Sequence, residues 1–314
     1  MIKNFSAGSL GINGRQSELL ELALTYAFDG FDIDMQDLYR RSGRTDVADA
    51  TKYLTSAARA YEQKGKPLDW GGFDLELDMD ADEDTFTASV AALNPVADLA
   101  HDVGLSRAFI TLPAATDRLP YNEYHEAQKA RIAQINEVLA PREIRLGIAF
   151  QAGKELAEGK QFEFIRSVDG FKALVGDAGD NAGYIVNTWD WMVGGGQLSD
   201  IAEIQIDKIV SVVLSSLPED ADAAAAASTD RVLPRAEDGL NHVELIRHLS
   251  ENGYEGPVSP GASAVQYKGQ TREAIVKEAQ EAIDGIYTAA GREVAPLPMD
   301  LIEDIPYETA TSIT

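Results

Sequence analysis

The chain contains no cysteine, which excludes disulfides, thiolate nucleophiles and cysteine-ligated zinc together. Basic residues are the minority: 27 Lys and Arg face 52 Asp and Glu, for a formal net charge of −25. Such a chain repels phosphate backbones and anionic lipid headgroups, which argues against duplex nucleic acid or a membrane surface as partner. It also slows the approach of a phosphorylated sugar unless a local basic pocket overrides the field. Long apolar runs are missing, since no stretch approaches the ~20 residues of a membrane span. The opening MIKNFSAGSL lacks the apolar core of a signal peptide, so the expectation is a cytoplasmic protein. What is present is 45% hydrophobic residues in 314, enough for a substantial core in about two domains of ~150 residues or one barrel of ~250.

Short apolar runs alternate with longer segments of helical period. The strand-like runs are 5–11, 30–35, 70–77, 107–112, 144–150, 183–187, 208–214 and 256–259. Helical runs are expected at 15–28, 46–64, 84–103, 121–139, 163–175, 198–204, 240–252 and 271–290. Their apolar stripes have helical spacing, as in Leu19, Leu22, Ala23 and Tyr26, or Leu54, Ala57, Ala58 and Tyr61. Strand alternating with helix implies a parallel sheet covered by helices. The first turn, Gly8-Ser9-Leu10-Gly11-Ile12-Asn13-Gly14, lacks the GxGxxG spacing of a dinucleotide fold. The reading is therefore a single α/β (β/α)8 TIM barrel over residues 1–293, with its site at the C-terminal ends of the strands. Residues 294–314 carry Pro296, Pro298 and Pro306 and cannot form one helix; they are expected to pack as a tail on the barrel or on a neighbouring subunit.

Three local features need a separate reading. The acidic, alanine-rich segment 218–230 reads as an inserted loop, with a mobile lid as the alternative. The cluster Asp78, Asp80, Asp82, Glu83 and Asp84 fails the EF-hand pattern, with Glu83 at position six and Ser89 at position twelve. Helix capping and the helix dipole explain it better. His101, His125, His242 and His248 fall in or beside helical runs, where surface or satisfied core roles are expected.

Four phrases in order carry a family resemblance: Ala27-Phe28-Asp29-Gly30-Phe31-Asp32; Arg145-Leu146-Gly147-Ile148; Asn187-Thr188-Trp189-Asp190-Trp191 followed by Gly194-Gly195-Gly196; and Gly253-Tyr254-Glu255-Gly256-Pro257-Val258-Ser259. Over about residues 5–290 the chain resembles the sugar phosphate isomerase/epimerase family with a xylose isomerase-like TIM barrel. The resemblance implies one divalent metal at the barrel mouth and two acidic residues that move a proton beside a carbonyl or hydroxyl. The positions it implies for that site are occupied differently here. The glutamate of the fifth strand is replaced by Ala149, an aspartate and a histidine of the sixth by Asn187 and Asp190, a histidine and an aspartate of the seventh by Val213 and Ser216, and the glutamate after the eighth by Gly261.

One carboxylate, one amide and one hydroxyl are a poor donor set for a hard cation, and no imidazole is supplied for a borderline metal. The expectation is no metal or other cofactor. Ala149 and Gly261 cannot act as general bases. The resemblance leaves Trp189, Trp191, Asn187, Gln151, Lys154 and Arg231 as candidate sugar or polyol contacts, with Asp190 as candidate base. Gly194-Gly195-Gly196 reads as a tight turn, or else as a backbone cradle for an anion. Two functions compete: a catalytically impaired carbohydrate-binding or partner subunit, as a homo-oligomer or paired with an active homologue, and a metal-independent isomerase or epimerase using Asp190.

Overall fold

A computed structural model describes residues 1–41 and 68–297. Its main strands are β1 (Ile2–Phe5), β2 (Gly30–Phe31), β3 in two pieces (Asp69–Trp70 and Phe73–Asp74), β4 (Arg107–Thr111), β5 (Arg145–Ala149), β6 (Ala182–Asn187), β7 (Ile209–Leu214) and β8 (Pro257–Pro260). All pair in parallel. The hydrogen-bonded order runs from the first piece of β3 through β2, β1, β8, β7, β6, β5 and β4 to the second piece of β3. One strand thus stands at both ends of the sheet, which closes it into a barrel. Gly71 N–H donating to Phe31 O at 3.0 Å and Leu75 N–H donating to Phe109 O at 2.9 Å extend the two seams.

The covering helices are α1 (Gln16–Thr25), α2 (Met35–Arg41), α3 (Glu83–Ala92), α4 (Asn94–Asp102), α5 (Tyr121–Leu139), α6 (Val168–Gly176), α7 (Thr188–Val193), α8 (Leu198–Ala202), α9 (His242–Glu251) and α10 (Arg272–Ala289). The expected helix at 46–64 lies outside the described residues, as does the tail beyond 297. Val294, in the described part of the tail, packs half-buried against the core. Among the described residues no helix is long and apolar enough to cross a membrane.

Two elements depart from the periodicity reading. The first strand is Ile2–Phe5 rather than 5–11, and residues 8–10 form a 3-10 turn. Lys3 and Asn4 hid it: both are polar yet buried. Lys3 ion-pairs with Asp284 of α10 at 2.8 Å, while Asn4 Nδ2 donates to Asp32 Oδ1 and to Ser259 Oγ, each at 2.9 Å. The continuous helix expected over 84–103 breaks between α3 and α4, where Pro95 opens the second helix. The acidic cluster serves as anticipated, Asp82 capping α3 by accepting from Thr85 N–H at 2.9 Å.

Strand alternation, interrupted in β7 by a register irregularity between Ile209 and Ser211, sorts the core into two parts. Ala108, Ile110, Leu146, Ile148, Val186, Val212 and Leu214 face the helices. Phe109, Ile185 and Val210 form a separate apolar cluster, with Ala149 and Val213 against it, and these fill the barrel. Next to this apolar side stands a polar one, made by Asn4, Asp32 and Ser259. Gly71 makes room for it, because a Cβ there would lie 2.2 Å from Asp32 Oδ1 and 2.3 Å from Asn4 Oδ1.

Gly71→Ala is therefore expected to lower stability by about 1–3 kcal/mol or more through overpacking. Gly176→Ala, in α6 with no atom within 4 Å of the added methyl, is expected to be neutral or to stabilise by about 0.5–1 kcal/mol. Urea midpoints of the two variants check the contrast.

Candidate functional site

The C-terminal ends of the strands divide into two unlike halves. On the side of β5 to β8, the register sets Asn187 beside Val213 and Val213 beside Ser259. A Cβ on Gly261 would lie 2.7 Å from Val213 Cγ1. Ala149 and Val213 rest on the apolar barrel filling of Phe109, Ile185 and Val210. Four of the six positions that the resemblance implies for a metal site thus lie near one another, and what they bring together is a methyl, an isopropyl, a bare glycine and one amide. The Asn187 Oδ1 is itself engaged, accepting from Trp189 N–H and from Ser215 Oγ, each at 3.2 Å.

The other two positions point elsewhere. Ser216 is fully buried and donates to Asp238 Oδ2 at 2.6 Å. Asp190, on the short helix α7, is buried, its Oδ1 accepting from Ala152 N–H at 2.9 Å and its Oδ2 from Arg231 Nη2 at 2.9 Å. Burial raises its carboxyl above the ordinary value, and the Arg231 charge acts against that rise. Among the described residues no group of three or more His, Asp and Glu side chains is placed to hold a metal ion. The donor set on this side of the mouth does not fit a divalent cation, which needs several oxygen or imidazole ligands.

The aromatic candidates are core residues. Trp189 and Trp191 are both 0% exposed; Arg231 lies over the Trp189 ring at 5.0 Å and Trp191 meets Phe171 edge-on. Neither offers a face to a sugar. They follow the sixth strand directly on α7, which Asn187 caps, and both side chains are buried. The glycine run is a tight turn and no anion cradle: the N–H groups of Gly194, Gly195 and Gly196 donate to the carbonyls of Asp190, Met192 and Trp191. Gln151 is half-buried and Lys154 exposed. His242 is a satisfied core histidine, 2.8 Å from Arg235 O and 2.9 Å from Thr188 Oγ1, and burial lowers its pKa.

Segment 218–230 lies latched over this half. Ala226 O accepts from Lys154 N–H at 3.1 Å, and Ser228 N–H and Oγ donate to Glu155 Oε1. Thr229 O accepts from Gln266 Nε2 at 2.7 Å, and Arg231 closes the segment on Asp190.

Among the described residues, the half at β1 to β3 is open. The residues after these strands surround a hollow of about 450 Å3 that includes Asp32, Asp34, Asp74 and Glu76. Burial pushes the Asp32 carboxyl up to about 7, against the hydrogen bonds from Asn4 and Ser6. These acids were missed as candidates. Their signal is plain in retrospect: Phe31-Asp32-Ile33-Asp34 and Phe73-Asp74-Leu75-Glu76 place acidic residues at the C-terminal ends of two strands, where a barrel keeps its functional groups.

The family described as xylose isomerase-like TIM barrel matches residues 20–286. The chain belongs to that family. No curated protein sequence matches it. Among solved structures, a xylose isomerase domain protein from Alicyclobacillus acidocaldarius superposes with a TM-score of 0.76 at 20% identity, covering 92% of this chain and 99% of its own. The IOLI protein, solved with a binding zinc atom, gives 0.71 at 13% identity, over 94% of this chain and 100% of its own. D-psicose 3-epimerase from Clostridium cellulolyticum H10, solved with D-tagatose, gives 0.64 at 12% identity, over 92% and 99%. At these identities the likeness is one of fold.

Arg231→Ala is expected to cost about 3–5 kcal/mol, because it leaves the buried Asp190 charge unpaired; adding Asp190→Asn should recover part of the loss in chemical denaturation. Asp32 gives a pH signature. Its folded pKa is raised, so its contribution to stability is complete below the ordinary value of 3.8 and fades as pH rises through about 7. Asp32→Asn should therefore gain stability relative to the parent steadily between these two limits, as read from urea melts at a series of pH values.

Proposed function

We propose that this barrel has set aside the metal-assisted proton transfer of its relatives and serves as a metal-independent binding or partner subunit for a sugar-like or polyhydroxy molecule. One observation carries the reading. Where the register gathers Ala149, Asn187, Val213 and Gly261, the surface is apolar and rests on the barrel filling. A carbonyl or hydroxyl placed there meets no carboxylate to take its proton, since a general base must come within hydrogen-bond reach of it. Asp190 supplies no substitute, because both its oxygens are occupied by Arg231 and by Ala152 N–H. Among the described residues, polar groups open to a ligand stand at β1 to β3, which gives the barrel something to bind with.

Divalent Mn, Zn, Co or Mg at modest excess is expected to leave the melting temperature unchanged. A ligand specific to the native state stabilises by about 2.7 kcal/mol at one hundred times its Kd, which a thermal scan registers easily. A saturable shift would overturn the reading. The converse arm restores ligands: Ala149→Glu, Asn187→Asp, Val213→His and Gly261→Glu together place three carboxylates and an imidazole on the converging positions, and calorimetric titration should then detect divalent metal. A folded quadruple variant without metal affinity would show that these positions are not a former metal site.

A further inference from the structure

The open half of the mouth holds a distinctive combination of groups. The hollow of about 450 Å3 is of ordinary size for a small-molecule site, which runs from about 300 to 1,000 Å3. It is lined by five carboxylates and two guanidiniums, and one of the latter, on Arg41, is already paired with Asp37 at 2.8 Å. Asp74 stands exposed to the hollow. Crowding by protein, and then the like charge of Asp34, raises its carboxyl above the ordinary value. A cation beside these two acids relieves that repulsion.

A second, independent feature asks for an oxygen. Gln16, the first residue of α1, lines the hollow and is 5% exposed. Its Oε1 accepts from Asp34 N–H at 2.6 Å. That bond fixes the orientation of the amide, because only the oxygen can accept. Gln16 Nε2 is thereby held in the wall as a buried donor with no partner among the described residues. An unmet buried donor is costly and is normally satisfied by a bound oxygen. The carboxylates themselves are not arranged as metal ligands.

We propose that this hollow binds a hydroxylated primary amine, its ammonium set against Asp74 and Asp34 and one hydroxyl oxygen accepting from Gln16 Nε2. The proposal rests on the reading of the barrel as a metal-independent binder of polyhydroxy molecules, and it names the class of ligand and the place where it binds. The chain's net charge of −25 favours a cation at long range as well.

The test is calorimetric titration of the full chain at neutral pH with D-glucamine, and with D-sorbitol, which has a hydroxyl in place of the amine. Each titration is run with EDTA and with added Mn2+. D-glucamine should bind saturably in EDTA, and D-sorbitol at least tenfold more weakly. Asp74→Asn should weaken D-glucamine at least fivefold. Gln16→Glu, which keeps the acceptor for Asp34 N–H and removes the donor, should do the same. Should Gln16→Glu fail to fold, the exposed position of Asp74 lets its variant carry the test. No saturable heat with D-glucamine in either condition would overturn this proposal and leave the metal-independent reading standing, as would equal affinity for D-sorbitol or indifference to Asp74→Asn. Binding that appears only with Mn2+ would overturn the metal-independent reading itself.

Discussion

Asn4 reaches across the inside of the barrel to Asp32 and Ser259, and it does so only because Gly71 has no side chain. That contact joins β1, β2 and β8 at the point where the split strand β3 closes the sheet. A barrel is ordinarily filled by apolar layers, and this one is apolar from β4 to β7, where Phe109, Ile185 and Val210 interlock. Buried polar groups must satisfy one another, so the polar side needs its own close fit. The two kinds of filling determine what the strand ends above them present.

Above the apolar filling the mouth is closed. Ala149 and Val213 extend the filling upward, and segment 218–230 is held down by Asp190, Glu155 and Gln266 through contacts to Arg231, Ser228 and Thr229. Above the polar filling the mouth is acidic and, among the described residues, open. On the reading proposed above, a ligand is held on the β1 to β3 side and not on the β5 to β8 side. This also gives Asp190 a structural reason to be an aspartate: it is the buried anchor of the latch, and its partner Arg231 covers Trp189.

The fold was legible from the sequence because parallel barrel strands are short apolar runs separated by amphipathic helices, and such runs at β4 to β8 read clearly. Where the pattern failed, polar residues were buried in strands, as at Lys3 and Asn4, or a proline divided a helix, as at Pro95. The site was less legible. The family resemblance directed attention to the ends of β5 to β8, where the residues at the implied positions could be read one by one. Which way a side chain faces could not, so Trp189 and Trp191 passed for sugar walls although both are buried on α7. Asp32, Asp74 and Gln16 gained meaning only from the third dimension: a strand end, a hollow, and an amide oriented by one backbone N–H.

The ion pair between Lys3 and Asp284 spans 281 residues of chain and lies almost out of water. During synthesis the first strand therefore emerges with a lysine whose counter-ion does not yet exist. At roughly 5–20 residues per second, the wait is on the order of tens of seconds, and burying the unpaired ammonium in the meantime is prohibitively costly. Burial of Lys3 is therefore favourable only together with Asp284, so the docking of β1 and the docking of α10 are energetically coupled. The clasp thus makes two elements 281 residues apart stand or fall together.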